Sequence, residues 1–194
     1  DEHARDNVSE AALALDADGR FLALKVKTLV NVGAYISSDR NLLASFGNVG
    51  TLVGPYAIPA AHVHVTCVMA NTPGTAPYRG AGRPEATYVI ERLIDDAARQ
   101  LQLDCAALRR QNLIQPAALP YRNALGLDYD CGDFPAVFDQ ALKLADHGGF
   151  AVRRTAAASR GKRRGIGLAF AIEKAAGPGL EYAEIRFTPG GAAT

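Results

Sequence analysis

The chain has 194 residues, a hydrophobic content of 48% and a formal net charge of +1, which fit a globular protein with a core of its own. The nearly balanced charge gives no electrostatic reason to expect a nucleic acid or a membrane surface as a partner. Three cysteines without a CxxC pair indicate neither a disulfide framework nor a zinc site, and they favour a reducing cytoplasm. No stretch is long and apolar enough for a membrane span, and the start has no signal-peptide pattern.

The first third of the chain predicts a β-hairpin, a long connection and a third strand. Residues 8–34 contain two runs typical of strands around the turn Asp18-Gly19. Residues 37–59 contain glycines and prolines without a regular period, which predicts an irregular connection. Residues 60–70, AAHVHVTCVMA, alternate in the manner of a strand.

A helix over residues 84–101 is the clearest element that the sequence predicts. Its apolar residues recur at spacings of three and four, which defines one buried face: Ala86, Val89, Ile90, Leu93, Ile94, Ala97 and Leu101. The charged residues of the same helix are expected to face away from that side: Glu91, Asp95, Asp96 and Arg99. Pro84 suits the first helical position because its missing N–H would have no partner there.

Shorter helices follow, each marked by a capping residue or a stop signal. Asp104 is predicted to cap a helix through Arg110, and Asp133 a helix that ends before Gly148-Gly149. A further short helix is expected over residues 150–158. The basic run RGKRRG that follows is expected to be a solvated loop.

The last part of the chain is expected to consist of strands. Residues 163–174, RRGIGLAFAIEK, predict one strand. Residues 182–187 alternate and lead into a Pro-Gly-Gly turn, so we expect a strand whose returning partner is missing. Together with a start at Asp1 rather than Met, this predicts a piece of a longer protein.

These elements predict an α+β fold in which a two-layer mixed or antiparallel sheet packs against helices. We expect residues 1–75 to form a hairpin and strand part and residues 76–160 a helical middle. Residues 161–194 are expected to form a truncated sheet part. All three parts are expected to belong to one region of a larger subunit.

The sequence TAPYRGAGRPEA, residues 75–86, is the main candidate for a binding site. It places small residues where the backbone bends tightly or approaches a ligand, directly before the positive end of a helix. An anionic group could bind there. The spacing matches neither the dinucleotide fingerprint nor the phosphate-binding loop, so residue types alone leave a ligand-contacting loop and a plain tight turn both open.

Other candidate sites have simpler explanations. His62 and His64 would share one face of a strand and could bind a metal, although a structural or surface role is the alternative. Asp128, Asp130 and Asp133 could imitate a calcium loop, but the terminal glutamate of such a loop is missing, so turns and capping explain them better. No GxSxG motif supports a hydrolase.

Residues 70–116, which include YRGAGRPEATYVIERL, resemble the molybdopterin-binding large subunit of the xanthine dehydrogenase and aldehyde oxidase family. The resemblance is closest to the carbon-monoxide-dehydrogenase-like bacterial branch, and it continues into ALALDADGRFLAL, PYAIP, YDCGDFPAVFDQAL and RRGIGLAFAIE. It implies that one loop lies at the molybdenum site and contacts the cofactor through Arg79, Gly80, Ala81, Gly82 and Arg83.

The same resemblance implies the chemistry of the intact parent. The cofactor would be molybdopterin in its cytosine dinucleotide form. The parent would hydroxylate a small molecule, an aldehyde or a heterocycle, with water as the oxygen source. Iron–sulfur and flavin subunits would be its partners.

Departures from the family narrow that expectation. Gly80 stands where carbon monoxide dehydrogenases have a copper-binding cysteine, so oxidation of carbon monoxide is not expected. Ala81 stands where xanthine-oxidising enzymes have an aromatic residue, and the arginine that polarises purines has no match near Gly47.

The family's general-base glutamate would lie beyond Thr194, so no residue of this chain is expected to be catalytic. The isolated piece is expected to be inactive, to contain no cofactor and to self-associate. A non-enzymatic scaffold that has kept the fold and lost the cofactor is the alternative.

Overall fold

A computed structural model describes residues 2–43, 49–173 and 182–193 of the chain. A mixed sheet and one long helix form its centre: β1 (Asn7–Leu15), β2 (Phe21–Gly33), β3 (Ala60–Met69) and α1 (Arg83–Leu101). The smaller elements are α2 (Cys105–Asn112), β4 (Tyr121–Arg122), β5 (Asp128–Tyr129), α3 (Phe134–Leu144) and α4 (Phe150–Ala158). The α+β fold class is therefore confirmed.

The three-stranded sheet has β2 at its centre. β1 pairs with it antiparallel, with Asn7 opposite Val30, and β3 pairs with it parallel, with Ala23 opposite Ala60. The parallel pairing needs a long crossover, which the irregular connection after β2 supplies. Short 3₁₀ turns occur in it at Asp39–Leu42 and Val49–Thr51. The predicted hairpin and third strand are confirmed, and the irregular connection is confirmed for residues 37–43 and 49–59, while residues 44–48 lie outside the described residues.

The hydrophobic core lies between the sheet and α1. Leu24 and Val26 of β2 and Ile90 and Ile94 of α1 are at most 1% exposed. Leu101 was expected on the same face but is 48% exposed. It is the last residue of the helix, and Ala98 takes the buried position in that turn.

The helices after α1 begin where their capping residues predict. The Asp104 carboxylate accepts a hydrogen bond from the amide of Ala107 at 2.7 Å, and the Asp133 carboxylate accepts one from the amide of Ala136 at 2.9 Å. Each satisfies an amide at the helix start that would otherwise lack a partner. The short helix predicted over residues 150–158 is also confirmed as α4.

The predicted strands near the end of the chain do not form. Residues 163–173 contain no strand, so that prediction is wrong for its described part, while residue 174 lies outside the described residues. Residues 182–193 show the predicted turn, but only a single bridge from Phe187 to Ala193. A strand requires a hydrogen-bonded neighbour, and no strand in the described ranges pairs with either segment.

The end of β2 touches the segment that leads from β3 to α1. Gly33 has a φ of +85°, and a Cβ at this position would lie 2.5 Å from the Cα of Gly74. Two backbone hydrogen bonds fix the crossing, from Ala34 to Thr72 at 3.0 Å and from Ala70 to Gly33 at 3.1 Å. Only glycine at residue 33 permits this approach.

No helix in the described part of the chain combines the length and the apolar character that a membrane span requires.

Replacing Ile90 with alanine should lower the free energy of unfolding by about 2–5 kcal/mol, because it removes a fully buried side chain and leaves a cavity. Val152→Ala is the control, since Val152 lies in a helix but is 74% exposed. Its expected effect is below about 0.5 kcal/mol. Chemical denaturation followed by circular dichroism measures both, and equal effects would contradict the core described above.

Candidate functional site

Residues 78–83, here called the site loop, turn the chain into the first turn of α1. Three successive residues have left-handed backbone conformations: Gly80 with φ +88°, Ala81 with φ +31° and Gly82 with φ +93°. Two internal hydrogen bonds close the loop, from the amide of Ala81 to the carbonyl of Tyr78 at 2.8 Å and from the amide of Arg83 to the carbonyl of Gly80 at 2.9 Å. The two glycines are therefore required by the backbone.

The site loop presents hydrogen-bond donors that the described residues do not use. The amides of Arg79, Gly80 and Gly82 donate to no acceptor in the described ranges. The guanidinium of Arg79 also has no acceptor among these residues, and Arg79 is exposed. The loop directly precedes the positive end of a 19-residue helix. An electron-rich or anionic group would find unused donors and a favourable dipole here.

The two arginines of the site loop have different surroundings. Arg79 extends into solvent, while its carbonyl accepts a hydrogen bond from the guanidinium of Arg5 at 2.8 Å. Arg83 forms an ion pair with Glu173, with 2.9 Å between Nε and Oε1. Of the two, Arg79 is the cation available to a ligand, and Arg83 joins the loop to the irregular segment after α4, residues 163–173.

Two cavities flank the start of α1. One, of about 520 Å³, lies between α1 and residues 168–173 and reaches Gly80 and Arg83 of the site loop. The other, of about 460 Å³, lies between α1 and β1 and is lined by Arg5 and Glu85 among others. Tyr88 borders both cavities and is 68% exposed. The site loop therefore lies at the end of the first cavity.

A buried network anchors α1 behind these cavities. The Arg109 side chain is completely buried, and its guanidinium donates to Glu91 at 2.7 Å, to Asp95 at 2.9 Å and to the carbonyl of Leu168 at 3.1 Å. The carbonyl of Cys105 accepts a further hydrogen bond at 3.1 Å. One side chain thus holds α1, α2 and the segment that forms the wall of the larger cavity.

Tyr56 completes this network from the connection between β2 and β3. Its hydroxyl donates to Glu91 at 2.5 Å, so both carboxylate oxygens of Glu91 have a donor. Burial raises the pKa of Glu91, although Arg109 and Tyr56 oppose that shift. Burial also raises the pKa of the Tyr56 phenol, and the Glu91 carboxylate adds to the rise. Tyr56 therefore stays a hydrogen-bond donor.

Glu91 and Asp95 were expected to face away from the buried side of α1, but Glu91 is 5% exposed and therefore also buried, and Asp95 is only partly exposed. Arg109 lies between them and neutralises both carboxylates. The sequence contains one signal for this arrangement, since two acids four residues apart on a helix repel each other unless a cation from elsewhere lies near. Nothing in the sequence identifies Arg109 rather than Arg110 as that cation.

The described residues give no support to the alternative sites. His62 and His64 are exposed, and the described residues contain no group of three side chains able to hold a metal ion. Asp128 pairs with Arg122 at 2.8 Å, and Asp130 accepts a hydrogen bond from a neighbouring amide. All three cysteines are free thiols. Gly47 lies outside the described residues, so the region compared with the purine-polarising arginine has no structural description.

Residues 1–113 match the family described as the molybdopterin cofactor-binding domain. The chain is similar to subunit gamma of the 6-hydroxypseudooxynicotine dehydrogenase complex of Paenarthrobacter nicotinovorans, at 32% identity over 89% of this chain and 22% of that protein. It is similar to the carbon monoxide dehydrogenase large chain of Afipia carboxidovorans, at 35% identity over 97% of this chain and 26% of that protein.

The fold is similar to the crystal structure of quinoline 2-oxidoreductase from Pseudomonas putida 86, with a TM-score of 0.77 and 32% identity. That similarity covers 82% of this chain and 20% of the other. The chain thus spans about a fifth to a quarter of the length of these relatives.

Replacing Arg109 with methionine should lower the free energy of unfolding by about 3–5 kcal/mol, because Glu91 would stay buried without its cation. The double variant Glu91→Met, Arg109→Met should lose less, since no charge is left unpaired. Arg122→Met is the control, because its ion pair with Asp128 is exposed and is worth about 0–1 kcal/mol. A double variant less stable than Arg109→Met would contradict this account of the network.

Proposed function

Since this chain belongs to the molybdopterin cofactor-binding domain family, we propose that its site loop supplies hydrogen-bond donors to the molybdenum cofactor of a hydroxylase large subunit. One observation carries the proposal. Three amides of the site loop and the guanidinium of Arg79 have no acceptor within the described residues, and all of them precede the positive end of α1. Such a set of donors is suited to an electron-rich group.

The donor set fits molybdopterin, whose phosphate oxygens and dithiolene sulfurs accept hydrogen bonds. Gly80 and Gly82 have no Cβ, so a flat group can approach the loop backbone closely. Arg79 adds a positive charge that no described carboxylate neutralises. The cytosine dinucleotide form, with a second phosphate, is the form we propose. Because most of these donors are backbone amides, binding of the cofactor would depend on the shape of the loop more than on any single side chain.

When bound, this cofactor supplies the two-electron oxidation of a substrate carbon, with water as the oxygen source. The roles left to this chain are binding and positioning. Pro84 and Glu85 lie in the first turn of the helix that supports the loop, and the ion pair between Arg83 and Glu173 holds the loop beside the larger cavity. The loop contains no carboxylate and no histidine, so we propose that a residue outside this sequence acts as the general base.

We propose an aldehyde or a nitrogen heterocycle as the substrate of the intact protein. The similarity to proteins named for quinoline and for 6-hydroxypseudooxynicotine supports a nitrogen heterocycle as the substrate. Gly80 provides no thiolate for a copper ion, and none of the three cysteines lies in the site loop. Carbon monoxide is therefore not the substrate that we propose. Iron–sulfur and flavin subunits would take up the electrons.

The test is the molybdenum content of the full-length large subunit, co-expressed with its neighbouring subunits, in wild type and in Gly80→Val. A Cβ at Gly80 would lie 3.0 Å from the Cδ of Pro84 in a left-handed backbone, so valine should distort the loop. We expect wild type to contain molybdenum and to reduce a dye with an aldehyde or a heterocycle. Gly80→Val should lose activity by roughly a hundredfold.

Gly161→Val is the matched control, because Gly161 also has a left-handed backbone, with φ +69°, but no atom within 4 Å of its Cβ position. It should keep both metal and activity. A wild-type protein without molybdenum would overturn the proposed function and favour a scaffold that has lost the cofactor. Full activity in Gly80→Val would show that the site loop does not contact the cofactor.

A further inference from the structure

We propose that Arg5, at the start of the chain, is a positioning residue that aims the donors of the site loop. Its guanidinium makes three contacts around the loop. Nη2 donates to the carbonyl of Arg79 at 2.8 Å, and Cζ lies 5.2 Å from the centre of the Tyr78 ring. Nε lies 3.2 Å from a carboxylate oxygen of Glu85, in the first turn of α1. Arg5 therefore joins both ends of the loop.

The backbone around Arg5 is fixed in a way that supports this role. Arg5 has a φ of +54°, a left-handed conformation that costs energy in a residue other than glycine. The amide of His3 donates to Gly74 at 2.9 Å, and the amide of Ala76 donates back to His3 at 2.8 Å. On the other side, the amide of Asn31 donates to Asp6 at 2.9 Å. Hydrogen bonds on both sides thus hold Arg5 in its strained conformation.

The contact with Arg79 determines where the amide of Gly80 points. The carbonyl of Arg79 and the N–H of Gly80 belong to the same planar trans peptide, so they point in opposite directions. Arg5 holds that carbonyl and lines the cavity between α1 and β1. The N–H of Gly80 must then point away from Arg5, and Gly80 lines the other cavity. Arg5 thereby keeps one unused donor, the N–H of Gly80, directed away from the cavity between α1 and β1, on the side where we propose that the cofactor binds.

The charge of Arg5 is already balanced by its surroundings. Glu85 pairs with it, and the Tyr78 ring covers one face of the guanidinium. Arg79, in contrast, has no described acceptor. The two arginines therefore have separate tasks, Arg5 in shaping the loop and Arg79 in offering charge to a ligand.

The part of this inference that concerns a ligand rests on the proposed function, whereas the part that concerns loop shape does not. The experiment uses the full-length large subunit in its complex, as wild type, Arg5→Ala and Arg5→Lys, with Arg122→Ala as the control at an exposed ion pair. The first measurement is hydrogen exchange of the amides of Ala81 and Arg83, which close the loop. The second is molybdenum content per subunit.

Arg5→Ala should speed exchange of these two amides by at least about tenfold, since it removes a hydrogen bond from a charged donor. Molybdenum content should fall in parallel, while the exchange of β2 amides stays as in wild type. Arg5→Lys, which keeps the charge but loses the branched donor, should lie between Arg5→Ala and wild type. Arg122→Ala should match wild type.

Trypsin offers a second readout, because it can cut the site loop after Arg79 but not at Arg83, which precedes proline. Faster cutting in Arg5→Ala is expected. If Arg5→Ala does not accumulate as a folded protein, Arg5→Gln is carried through the same measurements. Unchanged loop exchange and unchanged cutting would overturn the role of Arg5, whereas absence of molybdenum from wild type would overturn only the proposed function.

Discussion

The buried guanidinium of Arg109 needs hydrogen-bond acceptors inside the protein. Three separate parts of the chain supply them. Glu91 and Asp95 belong to α1, Cys105 begins α2, and Leu168 belongs to the irregular segment after α4. The charge of Arg109 is what allows Glu91 to be buried against Tyr56. Because α1 carries the site loop at its first turn, the position of the loop depends on this buried pair.

The site loop combines firm support at its ends with unused donors in its middle. At one end, the segment leading into it crosses β2 at Gly33, and at the other end α1 is anchored by the core. Between them, the left-handed conformations of residues 80–82 leave amides that the loop does not use for itself. Donors that are already oriented need little rearrangement when a ligand binds, which is how preorganised sites gain affinity.

Sequence patterns predicted those elements whose signals are local. The turn at Asp18-Gly19, the capping residues Asp104 and Asp133 and the apolar stripe of α1 each depend on neighbours within a few residues. The burial of Glu91 and the contact of Arg5 with Arg79 depend on partners 18 and 74 residues away, and no period in the sequence reports them. The strand expected after α4 failed for a related reason, since a strand requires a partner and alternation alone cannot supply one. The location of the site loop followed from its glycines and its resemblance to a family, while its contacts with a cofactor stay a prediction.

The crossing of Gly33 and Gly74 also limits how this fold can be re-engineered. The backbones approach so closely that a single methyl group at residue 33 would lie 2.5 Å from the Cα of Gly74. A designer who wishes to graft a different loop can vary residues 78–83 while the crossing stays intact. Exchange of the whole stretch from β3 to α1 would remove Gly74, and with it the close contact between this stretch and β2. The segment to exchange is therefore residues 78–83 alone, with Gly33 and Gly74 both kept.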